Sequence, residues 1–240
     1  MAVGSLTALR QTTHVPATVF VPGGRFLMGS EVGRPDESPV REVEVRPLRF
    51  GRGPVTNMEY AWFLSAGRAP EPPWWKDPDF WDPAQPVVGV TWFEALAYCV
   101  WLTETVGGQW RLPTEAEWEH SARGGLELAA TPWGESVPAG EIPEPPLAGP
   151  WAAGRGHANG FGLLDPGTIV HEWCHDWYAV DAYRSCRRFD PRGPESGKLR
   201  VRRGGSWRRD LREATPSSRY AADPFSRSAD GGFRVVREVP

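Results

Sequence analysis

Sulfur is scarce in this 240-residue chain, which has three cysteines, Cys99, Cys174 and Cys186, and none after position 186. An odd number without metal-finger spacing excludes a disulfide framework and a structural zinc site, so reduced thiols are expected. Cys99 lies in the apolar run Ala95–Leu102, where a small thiol packs as a hydrophobe. Charge of one sign is missing too. The formal net charge is −3 and the pI about 6.0, which gives no footprint for nucleic acid or for an anionic membrane. Lysine is nearly absent, with only Lys76 and Lys198; the arginine bias suits ion pairs and planar recognition. No apolar run reaches membrane-spanning length, and Met1 to His14 lack the apolar core of a secretory signal, so a cytoplasmic protein is expected.

Tryptophan, by contrast, is abundant. The 13 tryptophans run from Trp62 to Trp207, a spread that assigns them to packing rather than to one binding strip. Hydrophobic residues make up 40% and charged residues 24%, as in a soluble globular protein whose length suits one core.

Periodicity and turn signals place the elements. Thr18–Val21, the turn Pro22-Gly23-Gly24 and Arg25–Met28 predict a hairpin, and alternation over Arg41–Val45 predicts a half-exposed strand with Val43 and Val45 inward. Three helix starts carry a threonine with a glutamate three residues on: Thr56/Glu59, Thr91/Glu94 and Thr114/Glu117. Gly67, Gly107 and Gly124 close them. The second helix is expected to turn Phe93, Leu96, Ala97, Val100 and Trp101 to the core, and the third Trp118 and Ala122, with Glu115 and Glu119 outside. Proline-rich connections at 69–86 and 131–150 read as irregular loops pinned by aromatics. Late strands are predicted at 169–177, 199–207 and 233–237.

Several segments carry a family resemblance in order: Pro54–Asn57, Pro86–Trp92, Trp110–Glu119, Pro132–Gly134, Asn159–Leu163, Glu172-Trp173, Arg203–Trp207 and Gly232-Phe233-Arg234. They resemble the formylglycine-generating enzyme (sulfatase-modifying factor) family. The resemblance implies an α+β, C-type-lectin-like fold with little regular structure, over a domain at 17–240 preceded by an extension at 1–16. Oxidase members carry a copper-binding cysteine pair just after the Gly-Gly-Ser, because soft thiolates suit copper(I). Here Trp207–Arg219 holds no sulfur, so the resemblance implies the frame without its usual reactive centre, and copper is not expected.

The family also implies a calcium site with side-chain oxygens from Asp165 and Glu172 and carbonyls from Thr168 and Val170; hard oxygens suit Ca²⁺. A capped turn with a solvated Asp165 is the alternative. The family's other calcium loop is missing before Trp151. His171 stands where oxidase members have a tryptophan lining the active pocket, and faces either a retained cavity, the surface or the core.

His171-Glu-Trp-Cys-His175 matches a zinc-protease motif, which requires a helix. Its β-branched and aromatic flanks predict a strand, in which the histidines stand about 13 Å apart, too far to share an ion.

The functional reading is therefore a non-oxidase binding module for a protein or small-molecule ligand. Its expected surface is Trp207, Arg208, Arg209, Arg219, Tyr220, Phe225 and Arg227, with His171 and Ser206 as further polar candidates. The tail also resembles lectin-like proteins diversified by retroelements. The alternative is an enzyme: an oxidase recruiting Cys174, or a non-haem-iron sulfoxide synthase with histidines from a partner domain.

Overall fold

The computed structural model describes residues 15–141, 143, 147–209 and 215–239. Most of the expected extension at 1–16 lies outside them. β1 (Thr18–Val21) and β2 (Gly24–Met28) do not form the predicted hairpin. β1 pairs antiparallel with β4 (Leu48–Gly51), and β2 pairs with β3 (Arg41–Val45). In the link between them Gly23 is pressed against the Val45 carbonyl, where a Cβ would lie 2.7 Å away, so glycine is required there. The chain crosses there into a second sheet.

The first sheet has the order β1-β4-β10-β5, with β10 (Val236–Glu238) between β4 and β5 (Trp110–Arg111). The last has the order β8-β7-β6-β9, built from β6 (His171–Trp177), β7 (Arg200–Arg203), β8 (Arg219–Ala222) and β9 (Gly231–Gly232). Antiparallel β6–β7–β8 pairing brings the two ends of the cysteine-free tail to one sheet, and β9 joins β6 in parallel. The HExxH-like run is thus a strand, as its flanks predict.

The helices are α1 (Asn57–Ser65), α2 (Trp92–Val106), α3 (Glu115–Arg123) and the single turn α4 (Ala182–Ser185). The first three begin with complete capping boxes at Thr56, Thr91 and Thr114, as predicted. Gly67, Gly107 and Gly124 follow them with φ of 67°, 71° and 59°, a region that glycine enters without strain.

The buried face of α2 differs from expectation. Trp92, Ala95, Tyr98, Cys99 and Leu102 face the core, while Phe93 is 43% and Val100 50% exposed. This helix is apolar around most of its circumference, so periodicity offers two stripes. Packing selects the one in which Tyr98 stacks on Tyr60 at 5.8 Å and meets the Phe233 edge at 5.4 Å. No helix of the described residues is long and apolar enough to cross a membrane.

α3 buries Trp118 and Ala122 as expected, but also Glu115 and Glu119. Buried carboxylates need counter-charges, and three arginines supply them. Arg203 donates to Glu119 and, at 3.3 Å, to Glu115. Arg219 grips both oxygens of Glu115 at 2.6 and 2.8 Å, and Arg123 bonds Glu119 at 2.6 Å. Burial alone would raise the Glu119 pKa, but Arg203 and Arg123 outweigh it and hold the carboxyl below its ordinary value. Asp176, whose Oδ2 accepts the Glu115 amide at 2.9 Å, is pushed well up by burial and by the neighbouring Glu115 carboxylate.

The long loops are pinned as predicted. Phe80 and Trp151 are buried, Trp74 lies 6.2 Å from Phe80, and Gln85 Nε2 ties the carbonyls of Asp79 and Pro150 together.

Candidate functional site

The tail leaves β7 at Arg203 and returns at β8, and the buried ionic lattice fixes both ends. Arg203 donates to the carbonyls of Pro216 and Ser217 at 2.8 Å each. Strand alternation then turns Arg219 inward and leaves its neighbour Tyr220 half-buried at a cleft. Arg219 is fully buried, so its place is in the frame and not on the recognition surface where the sequence put it.

The cleft encloses about 550 Å³ between the loop after β2 and the tail, and Arg34, Glu37, Arg209, Thr215, Ser217 and Tyr220 line it. Tyr220 is its centre. The Arg34 guanidinium lies 4.2 Å from the ring centroid, that of Arg209 5.9 Å, and the His171 ring 4.5 Å. Cations over an aromatic face are attracted by its quadrupole. Arg34 and Glu37, about 180 positions away in sequence, carried no local signal and were missed.

Behind Tyr220, His171 Nδ1 donates to the Gly204 carbonyl at 2.7 Å, because a carbonyl can only accept. Nε2 is left as an acceptor 4.0 Å from Asp230 Oδ2, and burial lowers the imidazole pKa, so the ring is neutral at neutral pH. Ser206 Oγ donates to Asp230 Oδ2 at 3.1 Å. Ser206 therefore contacts the carboxylate and not the imidazole, and no Ser-His-Asp relay is assembled.

The remaining candidates separate. Trp207 packs edge-on to Phe80 at 6.0 Å and donates Nε1–H to the Ala229 carbonyl, with the exposed Arg208 4.7 Å above its ring. Phe225 and Arg227 lie at the start of α2. Phe225 is exposed 4.7 Å from Phe93, and Arg227 forks onto Glu94 at 2.6 and 2.8 Å. They do not share the Tyr220 cleft.

The Asp165–Glu172 stretch fits a cation only in part. Glu172 is spent: Oε2 accepts from Trp118 Nε1 at 2.6 Å and from Arg234 Nε at 2.5 Å, and Oε1 accepts from Arg234 Nη2 at 2.7 Å. A guanidinium thus stands where the sequence placed an ion. Asp165 is buried rather than solvated, with Oδ2 accepting the Gly154 amide at 2.5 Å; burial raises its pKa to about 6. Among the described residues its Oδ1 and the Thr168 hydroxyl lack partners, which suits a hard cation, while Val170 contributes only backbone. No cluster of three or more His, Cys, Asp or Glu with metal-binding geometry occurs among the described residues.

None of the cysteines lines the cleft. Cys99 and Cys174 are fully buried, and burial raises both thiols. Cys186 receives Arg41 Nη1 on its sulfur at 2.8 Å.

Sequence and structure comparisons agree on the frame. The formylglycine-generating enzyme of Thermomonospora curvata is 32% identical, over 92% of this chain and 93% of its own length. A mouse protein described as inactive C-alpha-formylglycine-generating enzyme 2 is 31% identical, over 92% of this chain and 85% of its own length. The structure of PvdO from Pseudomonas aeruginosa superposes with a TM-score of 0.83 at 25% identity, covering 94% of this chain and 95% of that one. With residues 5–239 matching the sulfatase-modifying factor enzyme 1-like domain, the chain belongs to that family and carries its formylglycine-generating-enzyme-like, C-type-lectin-like fold.

Proposed function

We propose that this protein is a non-oxidase ligand-binding module that uses the Tyr220 cleft of the formylglycine-generating-enzyme-like frame. The observation that carries the reading is the convergence of Arg34, Arg209 and His171 on the Tyr220 ring, in the part of the fold where the tail contains no thiol. Guanidinium groups and an aromatic ring in a concave site recognise polar, anionic molecules by charge, forked hydrogen bonds and stacking. The described inactivity of the mouse relative is in keeping with this reading. Thermal-shift screening against small carboxylates, phosphates and amino acids tests it. A stabilising compound should lose its effect in Arg34→Ala and Tyr220→Ala proteins that keep their circular dichroism. Conversion of a cysteine-containing peptide to an aldehyde would overturn the non-oxidase part of the reading.

Calcium belongs to the same proposal in reduced form: Asp165 and the Thr168 segment would hold it, without Glu172, and it would neutralise the buried Asp165 carboxylate rather than supply chemistry. Diversification of the tail by a retroelement would leave a near-copy of the coding sequence for 207–231 beside a reverse transcriptase gene.

A second, enzymatic reading rests on His171 Nε2, an unprotonated acceptor 4.0 Å from Asp230. It requires a substrate donor between those two atoms, and loss of turnover in His171→Phe would reveal it.

A further inference from the structure

Building on the ligand-binding reading of the Tyr220 cleft, we infer that the ligand class is a free α-amino acid, whose carboxylate meets Arg34 and Arg209 and whose ammonium meets Glu37.

Glu37 is the observation that a purely anionic ligand leaves unexplained. It closes the 3-10 turn Pro35–Glu37 and lines the cleft, yet its side chain is only 4% exposed. Among the described residues its Oε2 has no hydrogen-bond partner. Its ion pair with Arg34 runs through the other oxygen, Nε to Oε1 at 3.5 Å, longer than a hydrogen-bonded pair. A buried carboxylate oxygen without a donor is costly and rare, so its persistence beside a cleft points to a donor supplied from outside.

Gly33 strengthens the point. A Cβ at this position would overlap Glu37 Oε2, so only glycine leaves room for that oxygen where it stands.

Charge and spacing then select the ligand. A dianion would meet Glu37 as a like charge, and a simple amine would meet two guanidinium groups. A zwitterion satisfies both. In an α-amino acid the ammonium and carboxylate are attached to one carbon, so they can lie side by side against Arg34 and Glu37, whose Nε and Oε1 are 3.5 Å apart. A longer spacer, as in a γ-amino acid, would force one charge away from its partner. The hydroxyls of Thr215 and Ser217 line the same space and add acceptors for the ammonium.

The test is calorimetric titration of the full chain with L-alanine, propionate and ethylamine, which present both charges, the carboxylate alone and the amine alone. Alanine is expected to bind at least about tenfold more tightly than either fragment, the increment typical of one charge-assisted bond. Glu37→Gln should bring alanine down to the propionate level and leave propionate unchanged. Should Glu37→Gln misfold, Gly33→Ala serves in its place, because the added methyl would push the Glu37 carboxylate out of its position and is expected to abolish the same discrimination. Equal binding of alanine and propionate by the unmodified protein would overturn the amino-acid inference while leaving the cleft reading intact. Binding of none of the three would also overturn it, and the thermal-shift screen would then decide separately whether the cleft binds other ligands.

Discussion

Arg219 lies in β8 with its guanidinium forked across both oxygens of Glu115 on α3, at 2.6 and 2.8 Å, and with no exposed surface of its own. Its remaining donors reach the carbonyls of Asp36 and Ala179 at 2.9 and 3.1 Å. One side chain therefore joins the returning tail and the loop after β2, which border the cleft, to α3. The fold spends a buried charge to hold the two sides of the site together.

Removing one partner of a buried pair leaves the other charge uncompensated, which costs about 3–5 kcal/mol. Arg219→Ala is expected to show a loss of that order in urea denaturation. Arg208→Ala, on the exposed rim, is expected to stay within about 0.5 kcal/mol of the unmodified protein. Equal effects would mean that Arg219 is not the strut described.

Asp165 makes a pH prediction. Its folded pKa, about 6, stands above its ordinary value of 3.8, so the folded state binds more protons between those values and the group's contribution to stability falls as pH rises through that window. Asp165→Asn mimics the protonated acid. It is therefore expected to match the unmodified protein near pH 4 and exceed it at pH 7, by up to about 3 kcal/mol at 1.36 kcal/mol per pKa unit. Coincident stability profiles from pH 4 to 7 would refute the assignment.

His171 titrates in the opposite sense. Its folded pKa lies below the ordinary value of 6.5, so the unfolded chain binds the extra proton and stability is lost as pH falls below about 6.5. His171→Phe, which keeps a ring against Tyr220, should remove that part of the acid sensitivity. Unchanged acid sensitivity in the variant would show that the imidazole does not contribute it.

The two faces of α2 give a fourth check. Val100→Lys on the outer stripe is expected to change stability by no more than about 0.5 kcal/mol. Leu102→Ala on the inner stripe should cost about 2–5 kcal/mol. A large penalty at Val100 would indicate that the outer stripe is covered in solution.

These residues also mark how far the sequence could be read. The capping boxes at Thr56, Thr91 and Thr114 were legible because they depend on residues three apart, and the strand at His171–Trp177 because side-chain shape decides it locally. The inner face of α2 was not, since both stripes are apolar and contacts from distant residues, Tyr60, Phe63 and Phe233 among them, choose between them. Glu115, Glu119 and Arg219 look like surface residues until distant segments meet and bury them as a neutralised group. Tyr220, Arg209 and His171 were visible as candidates, whereas Arg34 and Glu37 reach the cleft only through the crossing that replaces the expected hairpin.

The central claim is that the Tyr220 cleft binds a small polar ligand. Its most direct measurement is ligand-observed NMR of a carboxylate and amino-acid mixture with the unmodified protein and with Tyr220→Ala. The account predicts saturation-transfer signals from a bound compound that vanish in the variant. Signals of equal strength in both proteins would contradict it.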